Sequence, residues 1–238
     1  MCANLYVFYA NVLLMNRPFY PPPRQTQIFY PVIATLLLAN GLLFAAQTFF
    51  NPLLISWLAL WPLATPDFMV GNYGAWINIP SFYPWQIFTY GFLHGSLMHI
   101  FFNMFALWMF GSQIERVWGP RRFFTYYAIC VIGAGLVQLL VATMTFLQTG
   151  IPYPTLGASG GVFGILLAFA MLFPEQRIFL IFLPIPIKAK YFVVGYGALE
   201  LWAGITGTQA GVAHFAHLGG MLVGLIVILY WRRRTNLL

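Results

Sequence analysis

The chain has 238 residues, of which 61% are hydrophobic and only 6% are charged. A soluble domain carries roughly a quarter charged residues, so this composition excludes a water-soluble globular protein. The net charge of +7 does not indicate a nucleic-acid-binding protein, because the basic residues lie at the ends of apolar runs and form no patch on a soluble face. Long apolar runs separated by short polar or Pro/Gly breaks predict an all-α integral membrane protein.

Six apolar runs predict a bundle of six transmembrane helices, at about 28–49, 93–113, 122–146, 157–173, 189–206 and 212–231. Another apolar segment, Ile178 to Ile187, is short and contains Pro184 and Pro186. Proline removes a backbone donor and interrupts a helix, so we interpret this segment as the end of the fourth span followed by a connection along the membrane surface.

The basic residues alternate from one side of the predicted bundle to the other. All eleven Lys and Arg residues lie before the first span, after the sixth, or at the connections between the second and third and between the fourth and fifth, including the adjoining span ends at Arg122 and Lys190. Under the positive-inside rule both termini are cytoplasmic, and the connections 50–92, 147–156 and 207–211 lie outside. The chain then divides into a cytoplasmic segment 1–27, a six-span domain 28–231 and a basic cytoplasmic tail 232–238. The outer loop 50–92 is rich in Trp and Tyr, which favour the headgroup layer, so we expect it to be partly embedded.

Polar residues inside three predicted spans indicate function, because such side chains are costly in lipid. They are His94, His99 and Asn103 in the second span, Ser159 within Gly157–Gly161 in the fourth, and His214 and His217 in the sixth. Singly, each has a structural explanation, such as a small packing residue or an interfacial histidine. Together they supply a nucleophile, a base and further donors, which is the inventory of serine acyl-transfer chemistry.

The prolines before the fourth span predict where its helix begins. Pro152 and Pro154 disfavour helix before about residue 155, because proline clashes with the preceding turn. A helix ending near Pro174 would have roughly 16 residues and be near 24 Å long, shorter than the hydrocarbon core of about 30 Å. We therefore expect this helix to start inside the membrane, with Ser159 in its first turn. Its free N–H groups would suit an oxyanion.

These residues resemble the motifs of one family. The second span resembles the HxxxxHxxxN signature of rhomboid proteases, the fourth their GxSG motif, and the sixth their AHxxGxxxG pattern. The matching segments are His94-Gly-Ser-Leu-Met-His99-Ile-Phe-Phe-Asn103, Gly157-Ala-Ser159-Gly160 and Ala216-His217-Leu-Gly-Gly220-Met-Leu-Val-Gly224. Three motifs in the family's order, from about residue 85 to 230, make the resemblance specific.

The resemblance implies a bacterial six-span rhomboid intramembrane serine endopeptidase that works through a Ser–His dyad. Ser159 would attack the scissile carbonyl, and His217 would take its proton and later give it to the leaving amine. The implied oxyanion hole consists of His99, Asn103 and the backbone N–H of Ser159. Residues implied to support the site are His94, Gly157, Gly160, Phe163, Gly220 and Gly224.

Two further polar residues of the predicted spans have no implied catalytic role. Glu200 is the only carboxylate of the fifth span, and the sequence leaves it as a helix–helix hydrogen bonder, a lipid-interface residue or a gate element. We expect no carboxylate behind the catalytic histidine. His214 lies nearer the outer surface than His217 and is expected to be a neighbour of the site.

A nucleophile below the membrane surface implies substrates that are themselves single-span membrane proteins, with small or helix-weakening residues near the outer face. We expect no metal and no other cofactor, because the sequence has no HExxH motif, and the absence of Asp from every span excludes an aspartyl mechanism. The alternative function is a non-catalytic rhomboid-fold chaperone or membrane-extraction factor, although such relatives lose the Ser or the His. Six spans without a transit peptide favour a bacterial inner membrane. The partners are substrate and lipid bilayer, and the sequence leaves the oligomeric state open.

Overall fold

The computed structural model describes residues 30–70, 76–180, 183–208 and 211–235. Besides α-helices and strands, the chain forms a 3₁₀ turn at Tyr90–Phe92 and a π-helical turn at Leu107–Gly111. In chain order the elements are α1 (Pro31–Leu58), β1 (Phe68–Val70), β2 (Trp76–Asn78), α2 (Gln86–Thr89), α3 (Leu97–Trp118), α4 (Pro120–Thr149), α5 (Ser159–Leu172), β3 (Arg177–Leu180), β4 (Leu183–Lys188), α6 (Ala189–Thr206) and α7 (His214–Thr235).

Each of the six predicted spans is helical in the structure, which supports the all-α membrane fold. Four of the helices in the described residues are long and apolar enough to cross a membrane: Pro31–Leu58, Leu97–Trp118, Pro120–Thr149 and His214–Arg233. The fourth predicted span, α5, has 14 residues and a length of about 21 Å at 1.5 Å per residue. This helix is short and begins at Ser159, as the prolines before it predict. The count of six membrane crossings stays a prediction.

The helix α5 lies at the centre of the bundle. Ten of its 14 residues are buried, and it packs most closely against α7 and α4. Glycine permits this approach: a Cβ on Gly220 of α7 would lie 1.9 Å from the carbonyl oxygen of Gly160 of α5. The outer faces of α1, α4 and α6 expose large apolar side chains such as Leu42, Leu140 and Leu199. A buried small-residue centre with an apolar exterior is the arrangement expected of a bundle solvated by lipid.

The segment Ile178 to Ile187 contains no end of the fourth span, so that part of its interpretation is wrong. The helix α5 ends at Leu172, and β3 and β4 form an antiparallel hairpin in which Arg177 pairs with Lys188 and Ile178 with Ile187. Proline at every second position of β4 removes alternate N–H donors. This spacing is incompatible with a helix but is tolerated at the edge of a two-stranded ladder.

The first helix extends beyond its predicted end at residue 49. The helix α1 continues to Leu58 through a kink at Phe50, whose φ and ψ are −123° and 27°, just before Pro52. The loop that follows is organised by the buried Gln86, whose side-chain oxygen accepts a hydrogen bond from the Trp61 backbone N–H at 3.2 Å. The connection after the first helix therefore begins after Leu58, later than the predicted loop 50–92.

The predicted terminal segments are described only in part. The cytoplasmic segment 1–27 lies outside the described residues, as do the last three residues of the predicted tail. Residues 232–235 of that tail continue the helix α7.

Candidate active site

The loop before α5 is fixed by backbone hydrogen bonds to Leu60 and Tyr90. Thr155 and Leu60 exchange two N–H···O bonds of 2.9 Å, and the Gly157 N–H donates to the Tyr90 carbonyl at 3.0 Å. Gly157 has a φ of +132°, a conformation that glycine adopts at little cost and other residues rarely reach. The loop therefore delivers the chain to Ser159, the first residue of α5, in one defined conformation.

Ser159 and His217 meet across the interface between α5 and α7. The Ser159 Oγ lies 2.8 Å from the His217 Nε2, which is the distance of a hydroxyl-to-nitrogen hydrogen bond. The ring of Phe163, one turn after Ser159, stacks on the His217 imidazole at 4.3 Å between centroids and 6° between planes. The structure thus brings together the predicted nucleophile, the predicted base and the predicted aromatic support.

A carboxylate lies behind this histidine, so the prediction that none does is wrong. Glu200 Oε2 lies 2.8 Å from the His217 Nδ1 and 2.7 Å from the His214 Nδ1, and all three residues are buried. Of the roles left open by the sequence, the geometry fits the helix–helix hydrogen bonder, since α6 is joined to α7 through this side chain. A carboxylate only accepts hydrogen bonds, so each Nδ1 carries a proton and the His217 Nε2 is free to accept from Ser159.

The His99 imidazole and the Ser159 hydroxyl both lie close to Gly157. A Cβ built on Gly157 would lie 2.8 Å from the His99 Nε2 and 3.6 Å from the Ser159 Oγ. The Gly95 N–H donates to the His99 Nδ1 at 3.4 Å, which assigns the ring proton to Nε2. Nε2 is therefore a donor beside the serine, as an oxyanion hole requires.

Asn103 and His94 occupy less direct positions. The Asn103 side-chain amide donates to the His99 carbonyl at 2.9 Å, within its own helix. The imidazole of His94 packs edge-on against that of His99 at 5.0 Å between centroids. The Gln47 amide of α1 binds both the N–H and the carbonyl of His94, at 3.0 and 3.2 Å. Asn103 and His94 thus contact His99 and not Ser159 in the described hydrogen bonds and ring contacts.

Three of the four predicted support glycines lie where α5, α4 and α7 cross, and the fourth, Gly157, lies in the loop before α5. A Cβ added to Gly220 would clash with the Gly160 carbonyl oxygen. One added to Gly160 would lie 2.4 Å from the Ala134 Cβ, and one added to Gly224 would lie 2.4 Å from the Tyr126 hydroxyl. Their shared property is the lack of a side chain at a close helix crossing, which lets Ser159 and His217 approach each other.

One group of side chains in the described residues has the composition of a metal site. The ligand atoms of Glu200, His214 and His217 all lie within 4.8 Å of one another, and two histidines with a carboxylate are a ligand set that zinc accepts. Hydrogen bonds of 2.7 and 2.8 Å already join these groups. The absence of a cofactor stays a prediction.

Comparison with known proteins assigns the family. The model of the Rhomboid domain matches residues 81–234, which is more than half of the chain and contains each of the predicted site residues. The chain belongs to the rhomboid family. This rhomboid is 35% identical over 137 residues to "Rhomboid protein 1, mitochondrial" of Saccharomyces cerevisiae, an alignment that covers 57% of the chain and 38% of the yeast protein. It is 34% identical over 152 residues to "Presenilin-associated rhomboid-like protein, mitochondrial" of Homo sapiens, covering 61% and 39% of the two proteins.

The alignment with a plant relative is longer but less similar. This rhomboid is 29% identical over 189 residues to "RHOMBOID-like protein 12, mitochondrial" of Arabidopsis thaliana, covering 73% of the chain and 54% of the relative. The chain therefore spans about two fifths to one half of the length of these relatives. All three carry mitochondrial names, whereas the sequence alone favoured the bacterial type.

Sequence reasoning missed two polar residues that hold the site of this rhomboid. The available signal for Glu200 was that it is the single carboxylate of its apolar span. The next span carries two histidines three residues apart, which could bind such a carboxylate. The signal for Gln47 was an amide within the first apolar run. Both residues are buried, and a buried polar side chain is normally hydrogen-bonded. That rule predicts a partner for each but not which one.

Proposed function

We propose that this rhomboid is an intramembrane serine endopeptidase that hydrolyses peptide bonds in or near the transmembrane helices of single-span membrane proteins. Membership of the rhomboid family supports a protease of this class. The observation that carries the proposal is the 2.8 Å contact between the Ser159 Oγ and the His217 Nε2. A half-buried serine and a buried histidine at this distance, in a family of intramembrane proteases, are suited to nucleophilic catalysis.

Ser159 is the proposed nucleophile, and His217 is the proposed base. The Ser159 Oγ attacks the scissile carbonyl while its proton moves to the His217 Nε2, and the same proton then passes to the leaving amine. A water molecule then attacks the resulting acyl-enzyme in a second cycle of the same proton transfer, which regenerates the serine. No step consumes a cofactor, metal or ATP.

His99 and the backbone N–H of Ser159 are the proposed oxyanion donors. The His99 Nε2–H borders the serine hydroxyl, and Ser159 opens a helix whose first N–H groups lack intrahelical partners. Asn103 is the remaining proposed donor. One of its two amide hydrogens is bound to the His99 carbonyl, and the second is available to an oxyanion after a rotation of the side chain.

The proposed substrates are membrane helices that unwind near the end of the bundle that carries the site. The carbonyls of an intact helix are hydrogen-bonded and shielded, so cleavage favours small or helix-weakening residues near the membrane surface. The rival function, a non-catalytic chaperone or extraction factor, does not account for a serine and a histidine held in hydrogen-bonding contact.

We further propose that α1, α3, α4, α5, α6 and α7 each cross the bilayer, with α5 starting below its surface. Basic residues at alternate connections support this arrangement, in which both termini lie on the same face. The relatives are mitochondrial by name, which favours a mitochondrial inner membrane over the bacterial inner membrane expected from the sequence. Fluorescent tagging in a host cell from each setting tests the location.

Cleavage by purified variants tests the proposed activity. Wild-type protein in detergent is expected to cleave a labelled membrane-helix substrate, and Ser159→Ala is expected to lose all detectable cleavage. A fluorophosphonate probe is expected to label wild type and not Ser159→Ala. Equal cleavage by the two proteins would refute the proposal.

A further inference from the structure

Glu200 is the one buried carboxylate in the described part of α6, and its surroundings are unusual for a structural residue. Its side chain is 7% exposed within a helix that carries apolar residues on its outer face. An isolated carboxylate in such a place is costly unless several donors satisfy it. Here two imidazole N–H groups converge on a single oxygen, Oε2, from residues three apart on α7.

We propose that Glu200 is a positioning residue that completes a Ser159–His217–Glu200 triad, and that His214 controls how strongly it acts. The proposal rests on the serine protease function proposed above. It assigns a third member to a site whose sequence motifs indicate only a serine and a histidine.

The first effect of Glu200 is on the orientation and tautomer of His217. Because the His217 Nδ1–H donates to the carboxylate at 2.8 Å, the Nε2 lone pair must face the serine. If Nδ1 were left without an acceptor, the ring could bind its proton on Nε2 and could no longer accept from Ser159. Stacking on Phe163 at 6° restrains the ring plane but does not distinguish between the two nitrogens.

The second effect is electrostatic. When the serine proton reaches Nε2, His217 becomes a cation, and its Nδ1–H stays on the ring beside the carboxylate. An opposite charge at hydrogen-bonding distance stabilises that cation in the transition state. The proton then leaves from Nε2 to the amine, and Glu200 neither gains nor loses a proton.

His214 competes for the same oxygen. Its Nδ1–H lies 2.7 Å from Oε2, so it withdraws part of the carboxylate charge from His217 while it anchors the side chain. The polar groups that face His217 are Ser159 from α5, Glu200 from α6, His99 from α3, and His214 from its own helix. Tyr196 of α6 packs on Phe163 and interacts electrostatically with Glu200. Among these, Glu200 is the only carboxylate, and the other neighbours contribute no negative charge near neutral pH.

The two neighbours therefore have opposite effects on the pH dependence of cleavage. The acid limb of the kcat/KM profile reports protonation of the free base. Glu200→Gln removes the anion and is expected to move this limb to lower pH. His214→Phe removes the competing donor and is expected to move the limb to higher pH, because the whole carboxylate charge then acts on His217.

The expected loss of rate for Glu200→Gln is roughly 100-fold in kcat with little change in KM. This is less than the ~10⁴-fold loss in a soluble serine protease whose triad carboxylate becomes an amide, because Phe163 continues to hold the ring plane. Glu200→Asp retains the charge and is expected to recover part of the rate. Trp202→Phe, on the exposed face of the same helix, is the matched control and is expected to leave both rate and pH profile unchanged.

The experiment measures cleavage of a labelled membrane-helix substrate by wild type, the four variants above and Ser159→Ala from acid to alkaline pH, with the melting temperature of each. Opposite movements of the acid limb in Glu200→Gln and His214→Phe support the triad. Unchanged kcat and an unmoved limb in a folded Glu200→Gln would overturn it. If Glu200→Gln does not fold, an unmoved limb in both Glu200→Asp and His214→Phe overturns it instead. Active Ser159→Ala would refute the protease function itself, which is a distinguishable result.

Discussion

The crossing of α5 and α7 at Gly160 and Gly220 is the feature on which a single methyl group should have the largest effect. A Cβ on Gly220 would lie 1.9 Å from the Gly160 carbonyl oxygen, whereas ordinary contact begins at 3.4 Å, so the two backbones must separate by 3.4 − 1.9 = 1.5 Å. The obstacle is backbone rather than a flexible side chain. Gly220→Ala must therefore displace one helix relative to the other.

This displacement acts directly on the proposed catalytic pair. Gly160 follows Ser159, and Gly220 lies one turn after His217, so a movement of this size lengthens the 2.8 Å contact between Oγ and Nε2. A misplacement of about 1 Å can cost a reaction roughly 100-fold, and overpacking of a core costs about 1–3 kcal/mol of stability. We expect Gly220→Ala to lose at least about 100-fold in kcat/KM and to melt at a lower temperature.

The assay is cleavage of a labelled membrane-helix substrate in detergent, with thermal unfolding measured in the same preparation. Gly195→Ala is the matched control, because it adds the same methyl group to α6 at a position with nothing within 4 Å. It is expected to keep wild-type activity and stability. A Gly220→Ala protein with wild-type kcat/KM and melting temperature would refute the argument from the helix crossing.

Two further predictions concern other parts of the bundle. His99→Leu is expected to lower kcat by about 10²–10³-fold, since it removes one oxyanion donor; a kcat within twofold of wild type would exclude that role. Hydrogen bonds from Lys188 and then Lys190 lower the pKa of the exposed Glu175 from 4.5 to about 2, so its ion pairs stabilise the fold above pH 4.5 and are lost as the pH falls through about 2. Above pH 4.5, the melting temperature of wild type should exceed that of Glu175→Gln by a small, constant amount. Below a pH of about 2 the two melting temperatures should be equal, and a difference that persists at that pH would contradict the assignment.

Motifs with fixed spacing were the part of the site that the sequence could predict. Ser159 and His217 were named from short patterns, and the structure brings them into contact. Glu200 was recognised as unusual but was given no role beside the histidine. The reason is geometric, because its partners depend on how α6 is rotated against α7, and one amphipathic pattern does not define that angle.

Helix boundaries were predictable where proline acts locally and unpredictable where pairing is non-local. Pro152 and Pro154 predicted the late start of α5, since proline restricts its own backbone and that of the residue before it. The hairpin after α5 was missed because an apolar composition alone does not distinguish a strand from a span. Its alternate prolines, Pro184 and Pro186, were the available signal for an extended edge.

The helix α1 lies outside the matched family region 81–234 and yet is bound to it near both ends. The Glu115 carboxylate accepts the N–H groups of Val32 and Ile33 at 3.0 Å, and Gln47 holds the backbone of His94. A fragment cut to the family boundaries would lack α1. The buried Glu115 carboxylate would then lose its two N–H donors, and the His94 backbone would lose its bonds to Gln47, which is costly in an apolar setting. The smallest unit worth expressing therefore starts upstream of Pro31, well before residue 81, where the match to the family begins.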